Sequence, residues 1–298
     1  MLNRRQRQMC IRDRADVSRT EEASVSVSGR TIYETTWPAY LPQPRRLSGR
    51  AALLTDYRAM GYGHWMMEVV PRWQMVLDAG FDPASIDHVI VNGTLAGFQQ
   101  ETLELLEIPE SKIVQSMWSQ HVLADELIVP SNIGDIRSPN PWAFNHLRKR
   151  FGPTSGSGAG TKRRLYVTRS QTTHRRVENE AAVRRILEQR SFEVFVAEDH
   201  SLTEKAVLFS QAEAVVGPTG AGLTHLVFCQ PGTSVLEFLN PEALDLYYWS
   251  ASNVLGLDHS YVPVLAVSDG ADSSPGSSTD VRVDLDQLAQ ALDALDLH

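Results

Sequence analysis

The chain has 298 residues, of which 42% are hydrophobic, 8% aromatic and 21% charged. This balance excludes disorder over most of the length and supplies enough apolar material for one large or two smaller cores. Two cysteines, Cys10 and Cys229, exclude a disulfide framework and a four-cysteine zinc site, and a net charge of −8 excludes a surface built to coat nucleic acid or an anionic membrane.

Residues 1–14 (MLNRRQRQMCIRDR) hold five arginines against Asp13 and show no apolar period, so they read as a non-native or disordered arm. A basic tether to nucleic acid or membrane is the alternative for this arm. Without it the chain counts 23 basic and 35 acidic residues, a net −12. No apolar h-region follows the arginines, so no secretory signal is predicted and a cytoplasmic location, free or peripheral to the inner membrane, is expected.

Strands are predicted at 51–55, 87–91 and 126–129, and helices at 64–79, interrupted by Pro71, and at 98–107. The stretch FGPTSGSGAGTK then has the composition of a flexible linker and places a domain boundary at 151–161. Beyond it the rhythm repeats: strand 165–168, helix 178–190, strand 192–196, helix 202–211, strand 212–217, helix 220–228 and strand 234–239. Ser201 and Glu204 match a capping box. Residues 214–236 carry no Asp, Glu, Lys or Arg, but their glycines and prolines argue for buried strands and tight turns around a ligand site rather than a transmembrane helix. A second low-complexity stretch, 268–279, precedes a last helix with a stripe of Leu285, Leu288, Leu292 and Leu295. Strands alternating with helices predict parallel sheets, and thus two α/β domains, 15–150 and 162–298, facing a cleft.

Three segments could carry chemistry. In Gly61-Tyr62-Gly63-His64-Trp65-Met66-Met67-Glu68, a helix starting near His64 sets His64 and Glu68 on one face, four residues apart. Such a pair can act as a general base with its orienting partner, or simply cap a helix; a metal would need a third ligand that is not visible nearby. In Thr168-Arg169-Ser170-Gln171-Thr172-Thr173-His174-Arg175-Arg176, hydroxyls and arginines gather after a strand and before a helix, which suits a diphosphate. A solvated charged loop is the alternative. In Gly217-Pro218-Thr219-Gly220-Ala221-Gly222-Leu223-Thr224-His225, a strand ends in a glycine-rich turn able to present amides to an anion, without the lysine of a P-loop.

Downstream, Glu237 interrupts an apolar strand and is expected either to meet a sugar hydroxyl or an arginine, or to face water from an edge strand. Tyr247, Tyr248 and Trp249 are candidates for stacking on a ring or for core. Asp284-Leu285-Asp286 is read as a helix cap rather than a metal site.

Taken in order, the block at 64–72, the block at 169–180, the turn at 220–224 and the Glu237 strand resemble the family 61 glycosyltransferases over about residues 50–240. The resemblance implies the GT-B arrangement of two Rossmann-like domains and an inverting transfer from a nucleotide sugar to a glycan acceptor, as in surface polysaccharide synthesis, with neither metal nor cofactor. It puts His64 and Glu68 on the acceptor side, in domain 15–150. It puts Arg169, Ser170, Arg175, Arg176, Thr219, Gly220, Ala221, Gly222, Leu223, Thr224 and Glu237 on the nucleotide-sugar side, in domain 162–298. The sequence departs from the family pattern at Gly61, Glu68, Thr219 and His225, where the family often has Asn, Asp, His and Asn. Another nucleotide-sugar enzyme, such as an epimerase, and a non-catalytic nucleotide- or glycan-binding protein are the alternatives; the second would leave His64 and Glu68 dispensable.

Overall fold

The computed structural model describes residues 26–27, 30–31, 43–56, 58–116, 121–133, 139–153, 162–267, 279–295 and 297. The arm at 1–14, most of the linker and nearly all of 268–279 lie outside the described residues. The described chain forms two compact units. The first takes residues through Thr55, Met75–Leu95 and Ile108–Pro130; the second takes Asp56–Gln74, Ala96–Glu107 and everything from Ser131 onward. The units interleave along the sequence, where the composition suggested a sequential split at 151–161.

In the first unit, β1 (Arg45–Leu53), β2 (His88–Asn92), β3 (Ile113–Ser116) and β4 (Val122–Ile128) form a parallel sheet in the order β3-β2-β1-β4. Leu47, Ala51, Ile90 and Val114 make its buried cluster. The predicted strands at 51–55, 87–91 and 126–129 correspond to β1, β2 and β4. β3 was not predicted, because four residues (IVQS) give too short a pattern to read.

The second unit contains helices α1, α2 (Gly97–Leu105) and α3 (Pro141–Phe151), followed by a sheet of β5 (Arg163–Val167), β6 (Phe192–Phe195), β7 (Ala212–Pro218), β8 (Ser234–Leu239) and β9 (Asp258–Pro263). Most of α1 lies in this unit: an α turn over Tyr62–His64, a π-helical stretch over Trp65–Val69 and an α segment over Val70–Asp78. The predicted interruption at Pro71 does not occur. Pro71 has no N–H to give, and the wider π turn just before it, closed by Val70 N–H donating to Trp65 O, carries the helix past the ring.

All pairings in the five-stranded sheet are parallel, in the order β9-β8-β7-β5-β6. One face packs under α4 (Glu180–Glu188) and α7 (Leu285–Asp293), with Tyr166, Val216, Leu236 and Phe238 against Val183, Leu187, Leu288 and Leu292. Burial on both faces is what a central parallel strand requires, and it explains why β7 and β8 are nearly free of polar side chains. The charge-free run 214–236 is thus strand, turn, a 3₁₀ helix over Ala221–Phe228 and the next strand. Among the described residues no helix is long and apolar enough to cross a membrane. Ser201 caps α5 (Leu202–Ser210) in a capping box with Glu204, and Asp284 caps α7 by accepting from the amides of Asp286 and Gln287.

Candidate active site at the strand switch point

β5 and β7 are neighbours, yet the chain leaves β5 for β6 on one side and β7 for β8 on the other. The loops after the two strands therefore diverge, and in open parallel sheets the crevice this opens beyond the strand ends is where ligands bind. Two of the three segments singled out in the sequence are these loops: Thr168–Asn179 follows β5 and Thr219–Gly220 follows β7. They touch. A Cβ on Gly220 would lie 2.2 Å from Arg169 Nη1, and one on Gly222 would lie 2.6 Å from Val167 Cγ1, so the missing side chains are what let the turn close over the end of β5.

In the first loop, Arg169 donates Nε and Nη2 to the carbonyl of His174 at 3.2 and 3.1 Å. Burial, and then the charge of Arg175, hold the Arg169 guanidinium below the usual arginine range. Arg175 is held with φ of 54°, and its buried Nε has no hydrogen-bond partner. Among the described residues no carboxylate lies within ion-pair distance of either arginine. Arg176 differs, since its side chain and amide both bind Asp280. Ser170 is exposed and its amide donates to Thr168 Oγ1 at 3.0 Å. Thr168 and Tyr166 in turn donate to the Glu180 carboxylate, fixing the base of the loop to α4.

The third segment reaches this turn from α1. Tyr62 Oη lies 2.9 Å from His225 Nε2, and His225 Nδ1 lies 2.8 Å from the carbonyl of Gly222. A carbonyl can only accept, so Nδ1 carries the proton and Nε2 accepts from Tyr62. Burial, and then the charge of Lys205, push the His225 pKa down to about 3, so the ring is neutral. Thr224 Oγ1 lies 3.1 Å from where a Gly63 side chain would begin. The start of α1 is thereby held against the glycine turn. One residue on, His64 Nδ1 is 2.9 Å from Glu68 Oε1, with both side chains only partly exposed. With Nδ1–H donating to the carboxylate, His64 Nε2 is left as an acceptor with no partner among the described residues.

Glu237 on β8 is buried, and the arginine or edge-strand solvent expected for it is absent. Its oxygens accept from Thr219 Oγ1 at 2.6 Å and from His259 Nε2 at 3.0 Å. Ala221 opens the 3₁₀ helix, and Leu223 and Thr224 are buried within it. Several residues here were not picked out as site residues. Tyr62 and His225 link α1 to the turn, and His259 backs Glu237. In α6 (Tyr247–Leu255), Tyr248 Oη lies 3.4 Å from Thr224 Oγ1. Burial pushes Tyr248 up to about 12, with the charge of Glu237 adding to the rise and Arg175 opposing it. Burial also raises Tyr247, followed by Tyr248 and the charge of Glu68. The two rings meet edge to face at 5.3 Å rather than as an open stacking platform. Of the two alternatives read from the adjacent tyrosines, Tyr248 takes the buried one, while Trp249 is exposed. Among the described residues no three His, Cys, Asp or Glu side chains gather as a metal site.

A Rossmann-like parallel sheet with arginines and a glycine turn at its switch point defines an α/β protein whose strand ends present the donor groups that suit an anion. The sequence of residues 62–236, more than half of the chain, matches the family described as glycosyltransferase 61, and the protein belongs to that family. It is therefore a glycosyltransferase, with a sugar donor and an acceptor as substrates. The match runs from the start of α1 into β8 and so takes in the three segments except Gly61. No curated protein matches the chain.

Proposed function

We propose that the protein transfers a sugar, with inversion, from a nucleotide sugar to a glycan acceptor in surface polysaccharide synthesis, on a GT-B architecture and without a metal. One observation carries the reading: Arg169 lies beside Gly220 and within electrostatic reach of Arg175, with no carboxylate within ion-pair distance of either among the described residues, in the same compact unit as the oriented His64–Glu68 pair. Two like charges held together in a half-buried place await an anion, and a diphosphate supplies one that a guanidinium pairs well.

In this mechanism Glu68 accepts a hydrogen bond from His64 Nδ1–H and so orients the ring. His64 Nε2 takes the proton of the acceptor hydroxyl as its oxygen bonds to the anomeric carbon. The bond from that carbon to the diphosphate breaks on the opposite face, and the electron pair leaves with the diphosphate. Arg169, Arg175 and the amides after Gly220 meet the charge where it develops, a role a metal would otherwise fill. Ser170, Thr219 and Glu237 belong to the donor side, while Arg176 acts through its tie to Asp280.

The test is calorimetric titration with a panel of nucleoside diphosphates, with and without magnesium, followed by turnover of the donor it identifies. His64→Ala should lower kcat by about 10²- to 10⁴-fold with donor affinity kept. Full activity in that variant sinks the assignment of the base, and binding that requires magnesium sinks the metal-free reading.

A further inference from the structure

The contact between His64 and Glu68 fixes how the His64 ring is turned, but not how far that ring stands from the glycine turn, because both residues belong to α1. That distance is set by what joins the start of α1 to the 3₁₀ helix Ala221–Phe228. Tyr62, two residues before His64, donates its hydroxyl proton to His225 Nε2 at 2.9 Å, and His225 Nδ1–H donates to the Gly222 carbonyl at 2.8 Å. Beside this chain, Gly63 comes so close to Thr224 that a Cβ there would lie 3.1 Å from its Oγ1. Two polar links thus run from the backbone that carries His64 to the backbone whose amides are proposed to meet the diphosphate.

The Tyr62 ring is itself held in place. Phe98 of α2 meets it edge to face at 5.2 Å, and the Lys205 ammonium, from α5, stands over it 5.3 Å from the ring centroid. Lys205 is buried and has no hydrogen bond or ion pair among the described residues; Glu101, Glu198 and Glu204 act on it only from beyond ion-pair distance. A buried cation left in this way costs stability. Its position gives the Tyr62–His225 bond a fixed direction. Burial, and then the charge of Lys205, keep a proton off His225, while burial, and then the charge of Glu101, keep the Tyr62 phenol protonated. On the reading of His64 as the base, we propose that Tyr62 is a positioning residue for the transfer, whose hydroxyl, through His225, sets where His64 stands relative to a donor bound at the glycine turn. A base displaced by about 1 Å from the reacting hydroxyl loses up to roughly 10²-fold in rate.

The experiment titrates the full chain with UDP, GDP, ADP and CDP, and then measures turnover of the glucose, N-acetylglucosamine, mannose and xylose derivatives of whichever binds, read as diphosphate released with water in the acceptor's place. Tyr62→Phe keeps the ring and its contacts with Phe98 and Lys205 and removes only the donor to His225. It should lower kcat about 10- to 100-fold, with diphosphate affinity within about twofold of wild type. His225→Asn, whose amide nitrogen reaches the place of Nδ1 and still meets the Gly222 carbonyl, should show the same loss. The double variant should lose no more than either alone, as for residues that act as one unit. A merely structural role would lower the melting temperature of these variants and leave kcat alone well below it. If His64→Ala loses turnover while Tyr62→Phe keeps it, or if the losses multiply in the double variant, the positioning role falls and the base stands. If His64→Ala keeps full turnover, no diphosphate binds, or no derivative is turned over, the reading of the site falls and this inference with it.

Discussion

The two ends of β5 carry arginines in opposite circumstances. At its start, Arg163 pairs with Glu193, and Arg164 Nε meets Glu213 Oε1 at 2.6 Å, with Lys162 also 3.6 Å from Glu213. Just beyond its end, Arg169 and Arg175 crowd one another with no carboxylate within ion-pair distance among the described residues. The strand's bottom is neutralised by its neighbours β6 and β7, while its top is left positive beside a turn of backbone amides. One end is thus tied into the fold by ion pairs, while the other fits the proposed donor site, since a half-buried cation without a close counter-charge weakens the fold unless something binds it.

The largest effect is expected at Arg175. Arg175→Ala should lower nucleoside diphosphate affinity by about 10- to 100-fold, from the loss of a charge-assisted hydrogen bond. The melting temperature should hold or rise as the like charge beside Arg169 disappears; a large fall in melting temperature with unchanged affinity would put this end in the same class as the other.

The top of the strand also leans on a neutral histidine, which makes it sensitive to acid. The folded-state pKa of His225 is about 3 against an ordinary 6.5, so between these values the unfolded chain binds a proton that the folded one does not. Stability should therefore be full above pH 6.5 and fall as the pH drops through that window, with His225 contributing up to roughly 1.4 kcal/mol per pH unit. Chemical denaturation at several pH values on wild type and His225→Asn should show a shallower acid dependence in the variant.

A smaller effect is expected from Gly220→Ala. Gly220 has an extended backbone, with φ of 162°, and the clash is with the movable end of Arg169, so the fold should barely notice. Displacing that guanidinium should nonetheless weaken diphosphate binding by roughly three- to tenfold. Unchanged binding would mean that Arg169 takes no part. The smallest effect is expected at the other end: Arg164→Ala should cost about 1 kcal/mol of stability, as for a partly buried ion pair, with donor affinity unaltered. Urea denaturation and the same titration check both halves of that statement.

Much of this site was legible in the chain. The arginine loop between a strand and a helix, the glycine turn and the His64–Glu68 spacing each follow from local rules, because strand ends, turns and i,i+4 faces are set by neighbours in sequence. The odd carboxylate in SVLEFL was equally visible. Its partners were not, because His259 lies on β9, and only the parallel register of β8 with β9 brings the two side chains within reach. Arg176 could not be told from Arg175 by composition, since its partner Asp280 is 104 residues away. The helix Pro141–Phe151 and the helix Tyr247–Leu255 escaped notice. Both bury one face at helical spacing, Ala143, Phe144, Leu147 and Phe151 in the former and Tyr248, Ala251, Ser252 and Leu255 in the latter, but polar Ser252 and the basic run Arg148–Arg150 blur the pattern in the sequence.

By itself, then, the sequence determined the α/β class, the family and the three segments that could meet a ligand, because period, turn chemistry and motif order are local properties of the chain. Only the tertiary structure decided that α1 belongs with the sheet of β5 to β9, that Tyr62 and His225 lock it to the glycine turn, and which arginines are left without a carboxylate. Those outcomes depend on strand order and register, which bring together residues as far apart as Tyr62 and His225 and which no local pattern encodes.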